Sequence, residues 1–148
     1  MSKVTADRHL LERDEILTQA GERVYERLMP DDAEAVRLAG RLHDVGKIGI
    51  REEVLNKPGR LTAAEFEHVK DHVRIGMEIL APLRDIIGVA LQYVQDHHEH
   101  LDGRGYPRGV AGDDIPLISR MISIADTYDV MTSRDSYRST VSSAEAIA

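Results

Sequence analysis

Apolar residues recur along this chain mostly at spacings of three and four rather than two, the period of helices that bury one face. The pattern predicts an all-α domain. A first helix is expected from about His9 to Leu28, with Leu17, Ala20, Val24 and Leu28 on one stripe, and Met29-Pro30-Asp31 interrupts it. A second carries Ala35, Val36, Leu38, Ala39, Leu42 and Val45, with Gly46 and Gly49 ending it. Residues 48 to 60, including Lys57-Pro58-Gly59-Arg60, read as loop or short turns. Thr62-Ala63-Ala64-Glu65 is a capping-box pattern opening a third helix, whose stripe is Phe66, Val69, Val73, Met77 and Leu80, closed by Pro82. The next helix shows Ile87, Leu91 and Val94 and runs into His97-His98-Glu99-His100. A glycine-rich loop from Leu101 to Asp114 leads to Ile115-Pro116, where proline suits a helix start. The last clear helix holds Ile118, Met121, Ile122, Ala125 and Met131. A further helix is expected from Ser142, cut by the end of the chain at Ala148, as at a truncated boundary.

Composition narrows the chemistry. The 148 residues, without repeat or Ser/Gly linker, suit one domain spanning 1–148. With no Cys, any metal must be held by His and carboxylates. A net charge of −7 argues against duplex nucleic acid as a partner, and 4% aromatic content without Trp argues against a base-stacking surface. No apolar run approaches the ~20 residues that span a bilayer, and no signal peptide is visible, so a soluble, cytoplasmic protein is expected.

Several ionisable residues continue the apolar stripes, which is costly unless they are paired or coordinate a metal. Ala90, Val94 and His97 lie on one path, and Ile87, Leu91, Val94 and His98 on the other, so both imidazoles are expected to point inward. Asp126 extends Ile118 and Ile122, His43 lies between Leu42 and Val45, and His72 flanks Val69, whereas His68 falls on the solvent side. Singly, each has a plain structural explanation: a hydrogen-bonded core histidine, or Asp126 paired with Arg120 or Arg134. Together they offer four imidazoles and two carboxylates from four helices. That set suits two divalent cations such as Fe, Mn or Zn better than one structural zinc, with Asp44 best placed to bridge. Two such ions, ~3.5–4 Å apart, can hold a bridging hydroxide nucleophile and clamp a phosphate, which implies phosphoester hydrolysis.

His43-Asp44-Val45-Gly46-Lys47-Ile48-Gly49-Ile50, His97-His98-Glu99 and Asp102-Gly103-Arg104-Gly105-Tyr106-Pro107 together resemble the HD-GYP family of bacterial cyclic di-GMP phosphodiesterases. The likeness runs from about Asp31 to Arg138 and includes Lys57-Pro58-Gly59, Leu61-Thr62, Ile115-Pro116-Leu117 and the stretch from Ala125-Asp126 to Ser133. It implies an HD-type helical bundle with a helix-borne centre of two, sometimes three, metal ions, commonly iron or manganese, that opens cyclic di-GMP to pGpG or onward to GMP. By motif, His43, Asp44, His72, His97, His98 and Asp126 would be ligands, with Asp44 bridging. Lys47 would contact the scissile phosphate and neutralise its charge, or is simply an exposed lysine at a helix end. Arg104 and Tyr106 would face the substrate cleft. The Gly105-Tyr106-Pro107 loop is linked in the family to substrate access and protein partners, with a purely structural lid as the alternative; a homodimer is a further expectation. Glu99 and Asp102 would accept hydrogen bonds from ligand imidazoles or stand solvated.

Two departures stand out. Where the family has a further His on the first helix, this chain places Glu12, with His9 one turn earlier, and either would substitute as a ligand. Ser133-Arg134-Asp135-Ser136-Tyr137-Arg138 replaces the more usual Asp-Arg-Pro-Tyr-Arg, leaving Arg138 as the better substrate contact. With no sensory or receiver domain visible from Met1, control is expected from partners or is absent. Two other readings stand beside a cyclic di-GMP phosphodiesterase: an HD-class phosphohydrolase acting on another nucleotide, and a catalytically weak cyclic-dinucleotide-binding module.

Overall fold

The computed structural model describes residues 30–132 and 141–147, and among these every regular element is helical. The stripe Leu17, Ala20, Val24 and Leu28, the candidate ligands His9 and Glu12, and Arg134 and Arg138 lie outside the described residues. Two compact units make up the chain, Met1–Glu34 and Ala35–Ala148.

Helix α1, Pro30–Leu42, buries Ala35 and Ala39 and stops three residues short of Val45. His43 and Asp44 form a turn, and Val45–Gly49 wind into a tight 3-10 helix. Glycine is a poor helix former, but position 46 matters for a stronger reason. A Cβ there would lie 1.8 Å from the His72 carbonyl oxygen and 2.5 Å from the Gly76 amide nitrogen. Only glycine lets the turn rest directly on the next long helix.

A one-turn helix α2, Glu52–Leu55, tucks in Val54. Helix α3, Ala63–Leu80, opens on the expected capping box: Thr62 Oγ1 accepts from the Glu65 amide at 3.3 Å, and the Glu65 carboxylate accepts from the Thr62 amide at 2.7 Å. Along its stripe Phe66 is exposed, Val69 and Met77 are half-buried, and Val73 and Leu80 are fully buried. Phe66 is therefore a correction to the expected core. The Lys70 ammonium lies 4.9 Å from the centre of its ring.

The expected single helix through Ile87 and Val94 is divided. After the short turn Ala81–Leu83, α4 spans Arg84–Ile87, and Gly88, at φ +58°, separates it from α5, Ala90–Asp96. Residues on nearly all sides of α5 are buried, Ala90, Leu91, Tyr93, Val94 and Asp96 among them, as befits a central helix. It packs between α3 and α6, Leu117–Thr132, which buries Ile118, Ser119 and Ile122, while Ala125 is exposed. Ala125 is thus a second departure from the expected core. Ser119 takes an inward place instead, its hydroxyl donating to the Tyr93 carbonyl at 3.4 Å. Helix α7, Ser143–Ile147, starts where expected, with Ser142 and Glu145 exchanging capping hydrogen bonds.

Candidate metal centre

The fold gathers His43 and Asp44 from the turn after α1, His72 from the middle of α3, His97 and His98 from the end of α5, and Asp126 from α6. Only His72 and Asp126 sit within helices; the other four sit in turns at helix ends, not on helix faces as expected. They form two groups, His72 with His97 and His98, and His43 with Asp44 and Asp126, each offering three ligand atoms within 4.8 Å of one another. The groups adjoin: the His43 and His97 ring centres are 5.1 Å apart, and those of His72 and His98 also 5.1 Å.

Backbone carbonyls orient three of the imidazoles. His43 Nδ1 meets the Gly40 oxygen at 2.8 Å, His72 Nδ1 the Val69 oxygen at 2.7 Å, and His97 Nδ1 the Val94 oxygen at 2.6 Å. Since a carbonyl only accepts, each Nδ1 carries a hydrogen, and in a neutral ring the Nε2 lone pair is left for the centre. Burial lowers the pKa of His72, takes His97 down to about 4 and His98 down to about 3. All three are neutral at pH 7. His72 Nε2, His97 Nε2 and Asp44 Oδ1 are buried without a hydrogen-bond partner, three electron-pair donors in one place, which is the condition of a site built for a cation.

The second group behaves differently. His43 Nε2 lies 3.8 Å from Asp126 Oδ1 and 3.4 Å from Asp44 Oδ2, and the carboxylate of Asp126, then that of Asp44, raises the pKa of His43 to about 10. A proton there serves two carboxylates, and a metal ion would take its place. Burial pushes the Asp44 carboxyl upward, but hydrogen bonds from His43 and Lys47 outweigh it and hold Asp44 well below the usual range. Asp126 is also lowered, chiefly by His43, so the alternative of an Asp126–Arg120 pair fails. Arg120 approaches Asp113 instead, at 3.7 Å. Lys47 Nζ sits 2.5 Å from Asp44 Oδ2 at the rim of the centre.

The glycine-rich loop closes over His98. The Tyr106 ring stacks on the His98 ring, centres 4.8 Å apart at 28°. Burial pushes the phenol above its ordinary pKa, which keeps it protonated. Arg104 points elsewhere, with an 84% exposed side chain whose Nε lies 3.8 Å from Asp102. His68 accepts the Arg51 amide and belongs to neither group.

The matching family model is the HD domain, over residues 1–148. The chain belongs to the HD domain family. An HD domain binds divalent metal, and the two groups have the donor sets to do so. The chain is similar to a cyclic di-GMP phosphodiesterase of Pseudomonas aeruginosa, 42% identical over 110 residues, 74% of this chain and 27% of that protein. The 3'3'-cGAMP-specific phosphodiesterase 2 of Vibrio cholerae is 41% identical over 112 residues, covering 75% and 22%. A cyclic di-GMP phosphodiesterase of Thermotoga maritima is 42% identical over 104 residues, covering 70% and 28%. The chain spans about a quarter of the length of these relatives.

Of the two acids near the His97-His98 pair of this HD domain, Asp102 stands solvated, one of the two expectations for it, whereas buried Glu99 does other work than expected. Glu99 Oε1 accepts the amides of Arg108 at 2.6 Å and Gly109 at 3.1 Å, and Asp102 accepts the Arg104 amide at 3.0 Å, so both hold the loop and not a ligand imidazole. Sequence reasoning missed the fully buried Asp96, paired with Arg108 through Oδ1 to Nε at 2.9 Å and Oδ2 to Nη2 at 2.6 Å. A signal existed: Asp96 follows buried Tyr93 by three, the spacing that marked His97 after Val94.

Proposed function

We propose that this HD domain hydrolyses cyclic di-GMP, opening it to pGpG or onward to GMP. One observation carries the reading: two three-residue groups of nitrogen and oxygen donors adjoin, with Asp44 facing both and Lys47 beside it. His72, His97 and His98 are assigned to one divalent ion and His43 and Asp126 to the other, with Asp44 between them. Iron or manganese suits this sulfur-free set, with zinc as the alternative. Such ions supply Lewis acidity toward a phosphoryl oxygen and lower the pKa of water.

The chain's own residues do the rest. Burial keeps three imidazoles neutral, and the carbonyls of Gly40, Val69 and Val94 aim rings at the centre. Lys47, half-exposed beside Asp44, is the cation that meets the phosphate and offsets charge developing on it. Tyr106 walls the cleft next to His98. Arg138 is assigned by the family pattern to the same anionic ligand; Arg104, directed to solvent beside Asp102, would join it only by turning its exposed side chain toward the cleft. The activity belongs in the cytoplasm, where cyclic di-GMP is made.

The relative specific for 3'3'-cGAMP, at 41% identity, favours that dinucleotide as a second reading. Purified protein loaded anaerobically with iron or manganese, supplied separately with each dinucleotide and followed by chromatography, decides between them. Linear product from cyclic di-GMP is expected. Product from 3'3'-cGAMP alone would transfer the assignment, and none from either at confirmed metal content would overturn it.

A further inference from the structure

His98 differs from the other clustered histidines. His43, His72 and His97 are each oriented by a bond from Nδ1 to the carbonyl three residues back; among the described residues, His98 has no ring hydrogen bond. Its ring is instead covered by Tyr106, and the Tyr106 amide donates to the His98 carbonyl at 3.1 Å. We propose that Tyr106 is a positioning residue that orients the His98 ring by stacking, and that the Asp96–Arg108 pair holds Tyr106 in place. The inference rests on the reading of His98 as a metal ligand.

The loop is tied to both flanks of the His97-His98 pair. On one side, the Asp96 carboxylate, 0% exposed, takes Arg108 through two parallel bonds, a geometry that fixes direction as well as distance. On the other side, Glu99, 4% exposed, takes the amides of Arg108 and Gly109. Ahead of these anchors in the loop, Gly105 lies on the Glu99–His100 backbone so closely that a Cβ would stand 2.3 Å from the His100 amide nitrogen. Tyr106 follows directly, and its ring has His98 against it. A loop serving only as a lid needs none of these ties, whereas a loop that must hold one ring against another needs several.

The test measures metal affinity, not turnover. Wild-type and variant proteins are stripped and titrated with Mn2+ by calorimetry, with thermal melting as the control for folding. Tyr106→Phe keeps the stack and is expected to bind as wild type; Tyr106→Ala is expected to lose affinity for one ion by about 10- to 100-fold. The ion assigned to His43, Asp44 and Asp126 should be held as before. Arg108→Met should weaken the same ion in the wild-type background and have no further effect in the Tyr106→Ala background, the non-additivity of residues acting through one another. Because Arg108→Met strands a buried carboxylate, the cycle is repeated with Asp96→Asn and Arg108→Gln together. Wild-type affinity in Tyr106→Ala, or an equal loss from the Arg108 change in both backgrounds, overturns the inference. A wild-type protein that binds no divalent ion overturns the metal-centre reading itself.

Discussion

Asp44 Oδ1 faces His72 Nε2 across 3.7 Å, and neither atom has a hydrogen-bond partner. With the His72 hydrogen held at Nδ1 by the Val69 carbonyl, two electron-rich atoms confront each other in a buried place. A cation between them resolves the repulsion. Divalent metal should therefore raise the melting temperature of the wild-type protein, by the equivalent of about 2.7 kcal/mol at a free concentration of 100 Kd. Asp44→Asn should abolish that rise together with turnover. A full metal-induced shift in the variant would remove Asp44 from the centre.

Metal affinity should rise with pH. His43, raised to about 10 by Asp126 and Asp44, must release its proton before it can bind an ion, so affinity should climb between pH 6.5 and 10. Calorimetry in buffers of different ionisation enthalpy would report the released proton. Without metal the sign for stability is the reverse: the raised His43 contributes stability fully present below pH 6.5 and lost as pH rises through about 10. His97 and His98 have lowered values, so their contribution is present above pH 6.5 and lost as pH falls through about 4 and about 3. Metal-free protein should melt highest near pH 6.5.

Gly46→Ala should damage fold and site together. The added methyl would collide with the His72 carbonyl and the Gly76 amide, both backbone, so the turn carrying His43 and Asp44 must lift from α3. A loss of about 1–3 kcal/mol is expected from such overpacking, with metal affinity falling in the same variant. Gly40→Ala is the matched control, with no atom within 4 Å of its Cβ. In the body of α1 it should stabilise by about 0.5–1 kcal/mol. Equal melting temperatures for the two variants would discount the close approach.

Lys47→Met separates two roles for the lysine. If the ammonium meets the phosphate, kcat should fall about 10²- to 10³-fold while the metal content measured by elemental analysis stays at the wild-type value. Unchanged kcat would make Lys47 a partner of Asp44 only.

Much of the helical frame was legible in the sequence because its signals are local. The Thr62–Glu65 capping box lies within one turn, and the path Ala90, Val94, His97 follows one helix, so its inward direction needed no knowledge of neighbours; all three are fully buried. Phe66 fits the same periodicity but is exposed, because a stripe says which residues share a face and not how far along the helix that face is covered. Gly88 likewise left the buried stripe Ile87, Leu91 and Val94 intact while dividing the helix that carries it.

By itself the sequence determined the chemistry on offer: no sulfur, imidazoles and carboxylates on buried stripes, and the ordered motifs of an HD domain. Residue identity and helical period are properties of the chain and its neighbours within a turn or two. Only the tertiary structure decided that Asp44 presents one oxygen to each triad, that Glu99 binds loop amides and not an imidazole, and that Asp96 is paired with Arg108. The contacts involved reach from 9 positions, Glu99 with Arg108, to 83, His43 with Asp126, and their geometry exists only after helices from several parts of the chain have packed.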